Sequence, residues 1–240
     1  MDGLTTLGLT TLAQTVPLLC EQARQQQLSY EGFLRLAIDA ELQGRAQRAQ
    51  ERRQKAAHLP THKSLAAFDF TYQPTLSEPL VRELAGLGFI ATATNVLLLG
   101  PPGVGKTHLA LALVEQALAA GHSARFITLR QLAEDLDTVT WRQQLRRFVQ
   151  PQVLVIDEVG YVRLSGAQSQ QLFELVNARY EKGAIILTSN RSFAEWGGLL
   201  GDEVLATALL DRLLHHAEVL TINGRSYRMK DRLEMTMASS

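Results

Sequence analysis

Eight residues near the middle of the chain, GPPGVGKT at 100–107, separate the apolar run NVLLL (95–99) from the alanine- and leucine-rich stretch HLALALVEQALA. A glycine-rich turn between a buried strand and a helix constrains the fold more than any other feature. Glycines let the backbone curl so that successive N–H groups converge on an anion. The helix that follows presents its positive end to the same place. The pattern is G-x-x-x-x-G-K-[ST], in the strand–turn–helix setting that it requires. It predicts a triphosphate cradle formed by Gly100, Pro101, Pro102, Gly103, Val104, Gly105, Lys106, Thr107 and His108. In that cradle Lys106 reaches the β- and γ-phosphates, and the Thr107 hydroxyl ligates Mg²⁺. A chance glycine-rich turn would lack the strand and helix on its two sides.

The residues around this motif alternate by type. RFITL (125–129), VLVID (153–157), AIILT (184–188) and a short run at 218–222 read as strands, and helices are expected over 106–120, 131–148, 168–180 and 204–215. Apolar strands separated by helices predict a parallel sheet covered on both faces, with right-handed crossovers. Ligands then bind at the carboxyl ends of the strands. The class is α/β, of the P-loop NTPase type.

Two of the strands end in side chains suited to such a site. Asp157 and Glu158 follow VLVI, and charges at the tip of a buried strand need partners. Asp157 is expected to hold the Mg²⁺ shell beside Thr107, and Glu158 to polarise a water for attack on the γ-phosphate. Asn190 ends IILTSN, on a strand expected next to the P-loop strand, where it can bond the attacking water or the γ-phosphate. An asparagine in a strand-to-loop turn is the plain alternative.

The first 60 residues read as a helical domain, 61–94 as a connector leading into the larger domain, and 95–240 as the nucleotide-binding core. Val16, Leu19 and Ala23 fall on one side of a Gln-rich stretch. Ser29 is a plausible N-cap for a helix with Tyr30, Phe33, Leu34, Ala37 and Ile38 in an apolar stripe ending at Glu41. Beyond Gly44 come Arg45, Arg48, Arg52 and Lys55 on one helix face, with Arg53 beside them and only Glu51 opposing. A second basic cluster runs from Trp141 and Arg142 to Arg146 and Arg147, where Trp141 can equally be core. Lys plus Arg equals Asp plus Glu at 24 each, so bulk charge names no partner. One cysteine, Cys20, reads as a small core residue and fits a reducing cytoplasm. No secretory signal or membrane span is expected. His215 and His216 are expected on different faces of one helix, which makes a poor metal pair.

Five segments together carry a resemblance: the P-loop, IDEVGY (156–161), LTSNRSFAEWG (187–197), LLDRLLHHA (209–217) and GRSYRMK (224–230). With LSYEGFLRLAIDAELQGRAQRAQERRQKAA at the N-terminal side, the chain resembles the IstB family over nearly its whole length. These are AAA+ ATPases of the ASCE type that help insertion-sequence transposases, and relatives of DnaC-type helicase loaders. The resemblance implies a homo-oligomer with ATP and Mg²⁺ between subunits. It implies that Arg212 is the arginine finger reaching a neighbour's γ-phosphate and that Arg228 is a second sensing arginine. From the residues alone, Arg212 reads equally as a solvent-facing arginine behind an apolar helical stripe. The chain ends soon after Arg228, so a full C-terminal lid domain is not expected, which weakens that second role.

The resemblance also implies binding of double-stranded DNA by the assembled oligomer. It favours a backbone-tracking role for Arg45, Arg48, Arg52, Arg53 and Lys55 over a merely solvated helix face, and adds Arg142 and Arg146 as candidates. No base-reading module is visible, so contacts with low sequence specificity are expected. The function so implied is an ATP-dependent regulator of transposition that assembles on target duplex and works with a transposase. A replicative helicase loader shares every catalytic motif, and a nucleotide-binding switch with little turnover shares the P-loop.

Overall fold

The computed structural model describes residues 2–227. Contacts divide them into two units, 2–53 and 54–227. The predicted Arg228 role lies outside the described residues.

The first unit holds helices α1 (Asp2–Thr6), α2 (Thr10–Gln25) and the first part of α3 (Tyr30–Ala57). The Ser29 hydroxyl accepts from Gly32 N at 3.1 Å, as the cap predicts. The expected apolar stripe is redistributed. Tyr30, Leu34 and Ile38 are exposed, while Ala37 and Glu41 are buried. Glu41 earns its burial by bonding. It accepts from Leu12 N at 2.9 Å, in the first turn of α2, and from Arg45 Nε at 2.9 Å and Arg48 at 3.2 Å. A carboxylate there satisfies an orphan N–H and meets the positive helix end. The Leu12 N–H first, and then Arg45, hold the Glu41 carboxyl below its usual range. Cys20 is half-buried, not core.

The second unit begins with the 3₁₀ turns Leu65–Ala67 and Phe70–Tyr72, then α4 (Glu78–Ala85) and α5 (Gly88–Ala91). There follow β1 (Asn95–Leu99), α6 (Lys106–Ala119), β2 (Ala124–Thr128), α7 (Leu129–Leu136), α8 (Trp141–Gln144), α9 (Arg146–Val149) and β3 (Val153–Val159). The described chain closes with α10 (Gly166–Arg179), β4 (Ala184–Ser189), a 3₁₀ turn (Phe193–Glu195), α11 (Trp196–Leu200), α12 (Glu203–Leu214) and β5 (Ala217–Thr221). The strands form one parallel sheet in the order β2-β3-β4-β1-β5. Alternate residues feed alternate cores. Val96, Leu98, Val155 and Ile186 pack against α6, whereas Leu97, Leu154, Ile156 and Leu187 pack on the side of α7, α10 and α12. Near-continuous apolar strands are what a sheet covered on both faces requires. Each such side chain contributes about 1.5–3 kcal/mol.

The helix expected over 131–148 is three short pieces. Thr138 Oγ1 bonds back to Asp135 O at 2.8 Å and Val139 is fully exposed, so β-branched residues and a competing hydroxyl break the run. Trp141 is core, stacked on Phe148.

Nothing in the sequence around Arg179 marks it as a core residue. Its guanidinium is buried and donates to five carbonyls: Phe148, Val149, Pro151, Gln152 and Ala184. It ties the end of α9 and the starts of β3 and β4 to α10. Burial lowers its pKa to about 10, which leaves it charged at neutral pH.

Candidate nucleotide site

The P-loop leaves β1 at its carboxyl end, where the parallel topology opens a crevice. Gly105 has φ 102° and caps α6. A Cβ there would stand 2.7 Å from Phe68 Cε2. Gly103 has φ 84° and lies so close to Ser226 that a Cβ would meet its Oγ at 2.1 Å. Tyr227 N then donates to Gly103 O at 2.8 Å, so the segment after β5 closes over the loop. These two positions require glycine because of sign of φ and lack of room together.

Lys106 is buried, with Nζ donating to Gly100 O at 2.6 Å and Pro101 O at 2.8 Å. Its ammonium thus sits on the loop's own carbonyls. Thr107 Oγ1 lies 2.9 and 3.1 Å from the two Asp157 oxygens. Asp157 is buried and also accepts from the Thr188 hydroxyl. Thr188 Oγ1 in turn accepts from Glu158 N at 3.1 Å. Hard oxygen donors from Thr107 and Asp157, side by side under the loop, suit Mg²⁺.

The β3–β4 pairing slips between Ile156 and Val159, and Glu158 adopts φ 62°. A bulge with a left-handed residue re-aims the strand tip. Asp157 stays buried while Glu158 is exposed and lines the cavity. A strained φ at a non-glycine residue commonly marks a functional position. Asn190 lines the same cavity, and its buried Oδ1 has no hydrogen-bond partner among the described residues. Gly160, at φ 113°, makes room for it, since a Cβ there would stand 2.5 Å from that oxygen.

The cavity measures about 420 Å³ and brings together Gly103, Lys106, Thr107, Glu158 and Asn190. It also draws in Phe68, Gln73 and Tyr227, which sequence reading missed. Phe68 packs edge-on against Phe70 and His108, and Tyr72 against Tyr227. The connector carries Phe68, Phe70 and Tyr72 without any period, so only their return to the loop exposes a role. His108 lines the cavity, yet its Nε2 lies 2.9 Å from Ser64 O, which anchors the connector.

Other predicted residues stand apart from the cavity. Arg212 is half-buried on α12, 2.9 Å from Asp211 Oδ2, with its guanidinium 5.1 Å above the Tyr180 ring. It does not line the cavity. The basic stripe on α3 is partly neutralised: Arg45 and Arg48 pair with Glu41, which corrects the expectation that only Glu51 opposes them. Glu51 instead accepts from Gln47 at 2.9 Å. Arg52 and Lys55 are exposed and Arg53 is half-buried. Arg142 and Arg146 are exposed, and Arg147 pairs with Asp135 at 3.5 Å. Within 187–197, Glu195 accepts from Ser192 N at 2.9 Å and from Arg191 at 2.8 Å, and Trp196 is core. Residues 191–197 therefore form a built turn, while Thr188 and Asn190 of the same segment line the cavity. No helix among the described residues is long and apolar enough to cross a membrane.

The sheet order, the loop and the Thr107–Asp157 pair define a P-loop nucleotide-binding protein of the AAA+ type. The fold is shared with DnaI, at TM-score 0.58 and 20% identity over 68% of this chain and 89% of that one. It is shared also with AMPPCP-bound DnaA from Aquifex aeolicus, at TM-score 0.51 and 22% identity over 67% and 50%. The family model for IstB-like ATP binding proteins matches residues 3–235, and the chain belongs to that family. It is 48% identical to the insertion sequence IS21 ATP-binding protein of Pseudomonas aeruginosa, over 95% of this chain and 88% of that one. It is 42% identical to the insertion sequence IS5376 ATP-binding protein of Geobacillus stearothermophilus, over 94% and 92%.

Proposed function

We propose that this chain is an ATP-hydrolysing regulator of DNA transposition, which assembles with ATP on duplex DNA and acts with a transposase. The observation that carries hydrolysis is the split between two neighbouring carboxylates. Asp157 is buried and bonded to Thr107 and Thr188, while Glu158 is exposed and lines the cavity. Insertion-sequence relatives along nearly the whole chain support the setting in transposition.

In this reading Lys106 leaves the loop carbonyls for the γ-phosphate, and the loop N–H groups hold the β-phosphate. Thr107 and Asp157 would hold Mg²⁺, whose charge would neutralise the phosphate oxygens. Glu158 takes the proton of the attacking water as its oxygen bonds to phosphorus and the bond to the ADP oxygen breaks. Asn190 orients that water. Arg212, away from its own cavity, serves a neighbouring subunit's γ-phosphate, a contribution of about 10³–10⁵ in rate where such a finger operates. Arg52, Lys55, Arg142 and Arg146 are the exposed cations proposed to contact the duplex backbone, with Arg53 beside them.

The test is phosphate release with ATP, Mg²⁺ and duplex, alongside sedimentation of the assembly. Glu158→Gln is expected to abolish release and to preserve ATP-dependent assembly, and Lys106→Ala to lose both. Full turnover in Glu158→Gln overturns the mechanism. A preference for single strands, with capture of a replicative helicase, overturns the role in favour of a helicase loader.

A further inference from the structure

Helix α12 stops at Leu214, so His215 and His216 do not share a helix as the sequence suggests. His215 caps the helix and His216 lies in the turn that enters β5. The rings therefore lie together, with centroids 4.2 Å apart. Glu181, held at φ 56° just beyond α10, completes the group. A ring nitrogen from each histidine and a carboxylate oxygen of Glu181 all lie within 4.8 Å of one another. The pair His216 Nε2 and Glu181 Oε1 is 3.6 Å apart. All three side chains are open to solvent.

Two further observations point to a cation. The Tyr180 hydroxyl lies 2.7 Å from His215 Nδ1 and holds the ring plane. An oxygen partner of this kind orients imidazoles at metal centres. The cluster also sits at the carboxyl end of the 12-residue helix α12, where the helix dipole favours positive charge.

We propose that Glu181, His215 and His216 form a binding site for a transition-metal dication of the Zn²⁺ type. Two imidazoles and one carboxylate select Zn²⁺, Ni²⁺ or Cu²⁺ over Mg²⁺. Three protein ligands leave a fourth, tetrahedral position for water. The site is distinct from the Mg²⁺ position under the P-loop. Its placement gives it a regulatory consequence, because Tyr180 also seats Arg212. A bound ion that fixes His215 and Tyr180 fixes the platform of Arg212. That consequence rests on the finger role proposed above; binding of the ion does not.

The test uses the full chain in Mg²⁺ buffer, with Zn²⁺ titrated against a chromophoric chelator and Co²⁺ followed by visible absorption. One ion per chain and a tetrahedral Co²⁺ spectrum are expected. Glu181→Gln and His216→Asn should each weaken binding by about tenfold or more, with the thermal melt of the metal-free protein unchanged. Tyr180→Phe should weaken it by about tenfold. Absence of saturable binding at one ion per chain overturns the site, as does undiminished affinity in His216→Asn. Undiminished affinity in Tyr180→Phe overturns the link to Arg212. None of these readings depends on nucleotide turnover, so a failure of hydrolysis is separable from a failure here.

Discussion

Glu158 N donates to Thr188 Oγ1 at 3.1 Å, and the same hydroxyl donates to Asp157. One buried threonine on β4 thus holds the Asp157 carboxylate and the backbone of Glu158, where the strand tip turns one residue in and the next out. Thr188→Val keeps the shape and removes both bonds. Hydrogen bonds to charged groups are worth about 1.5–3 kcal/mol. The expected result is a loss of stability in that range and a fall in ATPase rate of roughly tenfold or more, with Thr188→Ser retaining most of both. Urea melts and phosphate-release assays check it, and a Thr188→Val enzyme with parental turnover counts against the arrangement.

Arg179 serves five carbonyls with one guanidinium. Arg179→Met removes the guanidinium donors from these carbonyls, and each buried carbonyl left unsatisfied costs about 1–3 kcal/mol. Loss of at least ~3 kcal/mol in chemical denaturation is expected. Arg179→Lys should rescue little, because a single ammonium cannot reproduce the planar fork.

Glu41 titrates below its usual 4.5 in the folded protein because Leu12 N–H, Arg45 and Arg48 favour the carboxylate. A carboxyl whose folded pKa is depressed adds stability above its unfolded pKa and loses it as pH falls through the folded value. Helical content of the N-terminal region should therefore hold above pH 4.5 and decline below it. In Glu41→Gln that acid step should vanish from far-UV circular dichroism, and its persistence would assign the step elsewhere.

Arg45 and Arg48 are tied to Glu41, whereas Arg52 and Lys55 are exposed and outside every ion pair found among the described residues. Duplex affinity should fall with salt, and the combined Arg52→Ala, Lys55→Ala variant should lower the slope of log K against log salt by about 2. Arg45→Ala should change the slope less and destabilise α2 through Glu41. Salt-independent binding would sink the backbone-contact reading.

How much was legible depends on how local each feature is. The P-loop lies within eight residues, and its glycines, lysine and threonine act through backbone conformation, so pattern alone located it. The strand tips at Asp157 and Asn190 were legible because polar residues closing apolar runs are costly without a task. The pairing of Arg45 with Glu41 was within reach of the sequence too, since an acid four residues ahead of an arginine on a helix is a neighbour. The break in the helix expected over 131–148 is hard to see in sequence because Thr138 and Val139 sit inside an otherwise charged, helix-like run. The helix over 204–215 and the strand at 218–222 match α12 and β5 to within a residue. Only His216 falls outside the helix expected to carry it, because a continuous pattern, LLDRLLHHA, hides the two-residue turn.

Chemistry that resides in short stretches of chain was determined by the sequence itself: an α/β sheet, a phosphate-binding turn, and an aspartate–glutamate pair at a strand tip. Groups that act only when distant segments meet were decided by the tertiary structure. Thr188 found Asp157 across 31 residues, Gln73 and Phe68 reached the loop from the connector, and Arg179 joined the ends of three elements. The physical reason is that hydrogen bonds and desolvation depend on distance in space, while a motif records only distance along the chain.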